Sequence, residues 1–188
     1  MKEKSLIASP VKWIGLKPYR FKKYQTWINR VKPGICGTYA SAALVHDTFL
    51  QEYKVDLAKD NLLNGLKSVI DDLFPYKGTF PWDLKWGLDY VLRDIPELKV
   101  KMSLVPETTV VNVLNQQNPM PLAVGTAKLF GSNYKNHWLL VYAYGYNQDG
   151  KLFFKAYDNH GRYQAVVPAS QTIGCVWIEK KTSLSRLK

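Results

Sequence analysis

The chain has 188 residues, of which 46% are hydrophobic and 13% aromatic, and its formal net charge at pH 7 is +11. This length and apolar content fit one ordinary domain with a sizeable core and exclude global disorder. No run of 18 apolar residues occurs, which argues against a transmembrane helix. No secretory signal is visible at the N-terminus, which favours a cytoplasmic location, although a mature secreted form would look the same.

The positive charge lies at the two ends of the chain. Residues 1–32 contain nine Lys or Arg and one Glu, which gives a net charge of +8. Residues 179–188 contain four Lys or Arg and one Glu, which gives a net charge of +3. Residues 33–178 have thirteen charges of each sign. This neutral body argues against a nucleic-acid-binding domain. We interpret residues 1–32 as a basic arm and residues 181–188 as a basic tail, either solvated or docked on an acidic partner or surface.

The arm interleaves aromatic residues and prolines with lysines, which predicts an extended segment strapped across the body. Pro33-Gly34 should end it, and a helix should then run from Cys36 to about Tyr53. One face of this helix carries mostly small side chains, namely Cys36, Ala40, Ala43 and Leu44. Such a face allows the helix to lie close to a partner surface.

Two more helices are predicted from leucine-rich stripes, which are typical of core and not of cofactor pockets. Asp60 is expected to cap the first of them, Pro75 to Thr79 to form a loop, and Pro81 to open the second. The stripes are Leu62, Leu63, Leu66, Val69, Ile70 and Leu73, then Leu84, Leu88, Val91, Leu92 and Ile95.

The remaining chain predicts a mostly antiparallel sheet. Strands are expected at 98–104, 122–126, 138–146, 152–158, 163–167 and 173–179, with a short helix at 106–116. The predicted fold is therefore α+β, with a helical lobe at about 33–96 packed on a β lobe at about 97–180.

Cys36 is the first candidate for chemistry. It opens a helix, where the positive end of the helix dipole favours the nucleophilic thiolate over the thiol. A buried structural cysteine is the alternative interpretation. Cys175 lies within a predicted strand and is expected to be inert, and both cysteines are expected to be reduced.

His137 and Asp158 are the second and third candidates. His137 stands at the start of one predicted strand and Asp158 at the end of the next, with the turn Asn147 to Gly150 between them. A hairpin brings the start of its first strand beside the end of its second, so the two residues should be neighbours. A thiol, an imidazole and a carboxylate are the parts of a thiol-based triad.

These motifs resemble the papain-like cysteine peptidases. The sequence has Cys-Gly at a helix start, then Asn-His before a strand with Gly-Tyr, then Asp-Asn-His-Gly, in the family's chain order. The resemblance implies a two-lobed fold, Cys36 as nucleophile, His137 as general base and Asp158 as the residue that orients it. Aspartate at the third position, the short chain and the helical insert are more similar to the bacterial branch that trims double-glycine leader peptides.

Two positions depart from the family pattern. The family places an oxyanion-hole glutamine upstream of the cysteine; here Gln25 is favoured, with Asn29 as the alternative. The family's tryptophan after the third member is replaced by His160. Trp138 and the polar loop Lys128 to Lys135 are expected to border the site.

The resulting functional prediction is a thiol hydrolase, foremost a cysteine peptidase acting on a peptide or protein through Cys36, His137 and Asp158. Deamidation and acyl transfer use the same machinery and stay open. The alternative is a non-catalytic module whose basic arm docks on an acidic partner. The histidines have no metal-ligand spacing and no glycine-rich phosphate loop occurs, so no metal and no cofactor are expected.

Overall fold

The computed structural model of the chain describes residues 9–31, 34–73 and 78–181. The α-helices in these residues are α1 Cys36–Glu52, α2 Lys59–Ile70, α3 Pro81–Val91 and α4 Pro106–Leu114. The strands are β1 Ile14–Gly15, β2 Leu98–Ser103, β3 Leu122–Thr126, β4 His137–Tyr146, β5 Leu152–Tyr157, β6 Ala165–Pro168 and β7 Thr172–Lys180. Short 3₁₀ helices span Pro18–Thr26, Lys128–Phe130 and Ala169–Gln171. The predicted α+β class is confirmed.

The strands form one antiparallel sheet in the order β2-β7-β3-β4-β5-β6. On one edge of β4, β3 pairs with residues 137–141 and β1 continues with residues 143 and 144. On the other edge, β5 pairs Tyr157 with Leu140. The start of β4 therefore lies beside the end of β5, as the predicted hairpin requires.

Helix α1 is the central helix, and residues 37–48 are all buried. It packs against α2 and against β4, which its small residues Ala40 and Ala43, both fully buried, make possible. Glycine at position 37 is explained by a different contact. A Cβ there would lie 2.9 Å from side-chain atoms of Thr79. Only glycine allows the loop at Thr79 to close over the start of α1.

Helices α2 and α3 follow the predicted stripes, with small corrections. Helix α2 has Ala58 at its N-cap, so the prediction that Asp60 caps it is wrong; Asp60 lies in the first turn, where its charge suits the helix dipole. Leu73 falls beyond α2 and is 62% exposed. Pro81 opens α3 as predicted. Residues 75–77 of the predicted loop lie outside the described residues.

The arm is not extended over residues 18–26, because this segment is a 3₁₀ helix. With three residues per turn, Phe21, Tyr24 and Trp27 fall on one face, and all three are buried. The Phe21 ring stacks on Tyr142 with centroids 4.3 Å apart. This part of the arm belongs to the core; residues 1–8, 32, 33 and 182–188 lie outside the described residues.

None of the described helices combines the length and apolar character that a membrane span requires.

Candidate active site

Cys36 and His137 line one cavity of about 830 Å³. Cys36 is the first residue of α1 and is partly buried. His137 is the first residue of β4 and is 7% exposed. The cavity also has Trp138 in its wall, as well as residues of the loop before α3. The structure thus places the two sequence-predicted residues at one concave surface between the helices and the sheet.

The His137 ring is held in one orientation by the end of β5. Its Nε2 lies 2.8 Å from the backbone carbonyl oxygen of Asp158. A carbonyl can only accept, so Nε2 carries the proton and Nδ1 keeps its lone pair. The rings of Tyr134 and His160 lie beside it, with centroids 5.6 Å and 4.4 Å away. In this tautomer Nδ1 is the atom that can take a proton.

The Asp158 carboxylate does not hydrogen-bond to that ring. The Tyr134 hydroxyl donates to its Oδ2, and the backbone N–H groups of His160 and Arg162 donate to its Oδ1, each at 2.9 Å. The carboxylate therefore shapes the turn after β5. The predicted proximity of His137 and Asp158 is confirmed, but the main chain makes the contact.

Asn159, the residue one position further on, also points elsewhere. Its Nδ2 donates to the carbonyl oxygen of Trp138 at 2.9 Å. Its backbone has a φ of 46°, in the left-handed region that asparagine tolerates better than most residues. Its carbonyl oxygen accepts the backbone N–H of Asn29 at 2.8 Å. Asn159 thus connects the turn after β5 to the arm.

Gln25 and Asn29, the two oxyanion candidates, lie at different surfaces. Asn29 lines the cavity of Cys36, whereas Gln25 lines a separate groove on the arm. In a 3₁₀ helix neighbouring residues are 120° apart, so Gln25 cannot share the inward face of Tyr24. The structure therefore brings Asn29 to Cys36, and it does not bring the favoured Gln25.

The Asn29 side chain is oriented by its own segment. Its Oδ1 accepts the backbone N–H of Val31 at 3.1 Å. Its Nδ2 lies toward Gly34, where a Cβ would be only 3.2 Å from it. The two N–H bonds of Nδ2 are therefore the donors that Asn29 can offer in the cavity.

Burial favours the neutral form of both reactive groups. It raises the pKa of the Cys36 thiol, and backbone hydrogen bonds from Trp138, Gly37 and Cys36 itself lower that pKa by less. Burial also lowers the pKa of His137 to about 4, although the Asp158 carbonyl partly opposes this. This direction is opposite to the expected stabilisation of the thiolate by the start of α1, because burial is the largest contribution to the Cys36 pKa. Both shifts favour a thiol and a neutral imidazole over an ion pair at neutral pH.

Three residues that support the cavity wall carry no recognisable sequence signal, namely Thr38, Asp71 and Thr79. The Asp71 carboxylate accepts hydroxyl hydrogen bonds from Thr38 at 2.5 Å and Thr79 at 2.8 Å. The Trp138 Nε1 donates to the Thr79 carbonyl at 2.9 Å. These contacts hold the Thr79 loop over Cys36.

The predicted polar loop, Lys128 to Lys135, does not itself line the cavity. Ala127 and Asn136, the residues that flank Lys128 to Lys135, are in the cavity wall. The Asn136 Oδ1 accepts the backbone N–H of Lys128 at 2.9 Å, which closes the loop. Trp138 is 5% exposed and lies in the same wall, as expected.

The other titratable residues have different surroundings. Cys175 lies in β7 and is fully buried, and burial raises its pKa to about 12. Both cysteines are free thiols.

His46 forms hydrogen bonds with the Tyr24 hydroxyl at 2.8 Å and the Asp56 carboxylate at 2.7 Å. In the part of the chain that the structure describes, no three His, Cys, Asp or Glu residues converge as metal ligands would.

Alkylation should distinguish the two thiols. We expect iodoacetamide to modify Cys36 in the folded protein and to leave Cys175 unmodified, because only Cys36 is accessible. Burial raises the thiol pKa, so the rate should increase as the pH rises above neutrality. Peptide mapping by mass spectrometry measures both. Preferential modification of Cys175 would contradict the assignment.

Stability should depend on pH through His137. The folded pKa of about 4 lies below the unfolded value near 6.5, so the unfolded chain binds more protons between these values. The free energy of unfolding should therefore be highest above pH 6.5 and fall by up to roughly 3 kcal/mol as the pH drops to 4. Urea unfolding of the wild type and His137→Gln measures this. The free energy of unfolding of the variant should lack this part of the decline. An equal dependence of the unfolding free energy on pH in both proteins would refute the prediction.

The similarity of this chain to known proteins lies in its backbone fold. No protein-family model matches the chain, and no curated protein matches it either. Among solved structures, the chain is similar to the Amb a 11 cysteine protease, a major ragweed pollen allergen, in its proform. The 2.70 Å structure of that protein aligns over 97% of this chain and 62% of its own, at 13% identity and a TM-score of 0.49. The 2.05 Å structure aligns over 95% of this chain and 69% of its own, at 12% identity and a TM-score of 0.47. The chain thus spans about two thirds of the length of the chains to which it is similar.

Proposed function

We propose that the protein is a papain-like thiol hydrolase that cleaves peptide bonds. One observation carries the proposal: Cys36 and His137 line the same cavity, and the hydrogen bond from His137 Nε2 to the Asp158 carbonyl leaves Nδ1 free as a base. A thiol beside an oriented imidazole is the arrangement that nucleophilic catalysis by cysteine needs.

The reaction begins from the neutral pair. Cys36 Sγ attacks the carbonyl carbon of the peptide bond as its proton passes to His137 Nδ1. The oxyanion accepts hydrogen bonds from Asn29 Nδ2 and from the Cys36 backbone N–H, which has no partner within α1 because it lies in the first turn. His137 then gives its proton to the leaving amine. Water attacks the thioester with His137 again as base, which releases the acid and restores the thiol.

Asp158 acts in this proposal through the turn that it stabilises. Its carboxylate accepts two backbone N–H groups and the Tyr134 hydroxyl, and its carbonyl then meets His137. Neither role requires the carboxylate to touch the imidazole.

Substitutions of Asp158 test this role. Asp158→Asn keeps an oxygen acceptor for the two backbone N–H groups, so most activity should remain. Asp158→Ala leaves those groups without their acceptor, which should cost about 1–3 kcal/mol of stability and let the His137 ring reorient. Chemical denaturation and kcat/KM measure the two effects. Equal losses for Asn and Ala would instead assign the function of Asp158 to its charge.

The direct test is hydrolysis of a quenched-fluorescent peptide library by the wild type and Cys36→Ala. Hydrolysis by the wild type alone supports the proposal, and a trapped thioester seen by mass spectrometry after acid quench identifies the nucleophile. Cleavage by both proteins, or by neither, would overturn it. Product masses separate the alternatives, because deamidation and acyl transfer leave the peptide chain uncut or joined to an added nucleophile.

The narrower specificity remains a prediction from the sequence motifs. The library should include peptides with a Gly-Gly pair before the scissile bond, because the motifs are more similar to the branch that trims double-glycine leaders. Faster cleavage of these peptides than of matched Ala-Ala peptides supports that specificity. Equal rates would leave the hydrolase proposal intact and remove the double-glycine one.

A further inference from the structure

A second concave surface lies on the arm, and we call it the basic groove. It has a volume of about 890 Å³ and is lined by Gly15, Leu16, Lys17, Tyr19, Arg20, Lys22, Lys23, Gln25, Thr26 and Gln51. It has no lining residue in common with the catalytic cavity. The mechanism proposed above uses none of these residues.

The charge of the basic groove is largely uncompensated. Residues 9–31 contain six Lys or Arg and no Asp or Glu. Arg20 is already used, since its guanidinium pairs with the buried Asp47 carboxylate, with Nε 2.8 Å from Oδ1. Lys17, Lys22 and Lys23 are exposed and form no ion pair among the described residues. Three ammonium groups therefore stand at one concave surface without an ion-pair partner among the described residues.

The lysines are carried by a rigid element. The 3₁₀ helix Pro18–Thr26 is anchored in the core by the side chains of Phe21 and Tyr24, which are fully buried. The Lys23 ammonium lies 5.5 Å from the centre of the Tyr24 ring, a cation–π contact. The backbone positions of Lys22 and Lys23 are therefore set by core packing, and Lys17 directly precedes the helix as its N-cap.

The basic groove is close to the catalytic cavity along the chain. Gln25 lines the groove and Asn29 lines the cavity. Four residue steps span at most about 14 Å. The Gln25 carbonyl also packs beside Gly161, where a Cβ would be 3.9 Å from it, and Gly161 follows His160 of the cavity wall. The far side of the groove is more distant, because Gln51 lies 15 residues along α1 from Cys36, or about 22 Å at 1.5 Å per residue. An extended peptide needs about seven residues to span that distance.

We propose that the basic groove is an exosite that binds a run of Asp or Glu residues a few positions from the scissile bond of a peptide substrate. This inference rests on the proposed hydrolase function, because that function is the reason to expect a peptide as the ligand. Lysine ammonium groups are point charges that bind carboxylates and phosphates alike. Bidentate phosphate recognition uses guanidinium groups, and the one that lines the groove, on Arg20, is occupied by Asp47. The groove thus lacks a free guanidinium for bidentate phosphate contacts, and the proposed hydrolase function makes the carboxylates of a peptide its expected ligand.

The binding test uses the full chain with Cys36→Ala, so that the probe is not cleaved. The probe is a fluorescein-labelled hexaglutamate peptide, followed by anisotropy, with a hexaglutamine peptide as the neutral comparison. We expect saturable binding of hexaglutamate that weakens with added salt. The triple variant Lys17→Gln, Lys22→Gln, Lys23→Gln should bind about tenfold more weakly.

A second triple variant controls for net charge. Lys99→Gln, Lys151→Gln, Lys181→Gln changes three exposed lysines outside the groove and lowers the net charge from +11 to +8, as the first triple does. It should bind hexaglutamate within about twofold of the parent. Equal weakening by both triples, no binding by the parent, or tighter binding of oligo-dT than of hexaglutamate would each overturn the exosite.

Kinetics separate this inference from the hydrolase proposal. In the chain with Cys36 intact, the groove triple should raise KM about tenfold for a substrate with a Glu run and leave kcat unchanged. A substrate without that run should show no change. If hexaglutamate binds the groove but no peptide is hydrolysed, the hydrolase proposal fails and the groove stands as an acidic-peptide site. If hydrolysis occurs and KM is indifferent to the groove triple, only the exosite fails.

Discussion

Replacing His137 with Ala is expected to lower kcat/KM for a peptide substrate by about 10²–10⁴-fold, the contribution of a positioned general base. The reason is geometric: His137 shares the cavity of Cys36, and the Asp158 carbonyl holds its ring with Nδ1 available. In the wild type, kcat/KM should fall only below about pH 4, since burial lowers the pKa of His137 to about 4. Initial rates across pH 3–9 measure both effects.

The other two histidines are the controls for this prediction. His160→Ala should lose less than about tenfold, because that ring lies tilted beside His137 and makes no bond that the proton transfer needs. His46→Ala should mainly cost stability, as His46 is 3% exposed and bonded to Tyr24 and Asp56. Its rate per folded molecule should be preserved. A loss at His160 as large as that at His137 would show that the wrong imidazole had been assigned.

Replacing Asn29 is expected to have the next largest effect. Removal of one oxyanion-hole donor lowers kcat by about 10²–10³-fold, and Asn29→Ala should fall in that range. KM should change little, because the oxyanion exists only in the transition state and the intermediate. Steady-state kinetics on one peptide substrate separate the two parameters.

Two further variants make this prediction specific. Asn29→Asp keeps the Oδ1 that accepts the Val31 N–H but removes the donor, so it should lose at least as much kcat as Ala. Gln25→Ala changes the other upstream amide, which lies in the basic groove, and should retain kcat. If Gln25→Ala lost activity and Asn29→Ala did not, the oxyanion assignment would have to return to Gln25.

The local elements could be predicted from the sequence because short-range patterns determine them. Pro81 at the start of α3, the small residues of α1 and the β-branched and aromatic run of β4 each carry a recognisable periodicity or terminus signal. The hairpin of β4 and β5 follows from two strands and one short turn, and it brought His137 beside Asp158 as expected. Chain order and local pattern were therefore enough to predict these elements and the proximity of His137 to Asp158.

Side-chain direction and desolvation were decided by the tertiary structure. Which atom of Asp158 meets the imidazole depends on the turn to Arg162, where the carboxylate is taken by two backbone N–H groups and Tyr134. Which upstream amide reaches Cys36 depends on the 3₁₀ helix, which turns Gln25 away from the cavity, and Asn29 is the amide that lines it. Burial reversed the expected shift of the Cys36 pKa, since the start of α1 lies under the Thr79 loop. A sequence pattern predicts which residues are near one another along an element, but the dielectric around them and the atoms they face arise from contacts between segments far apart in the chain.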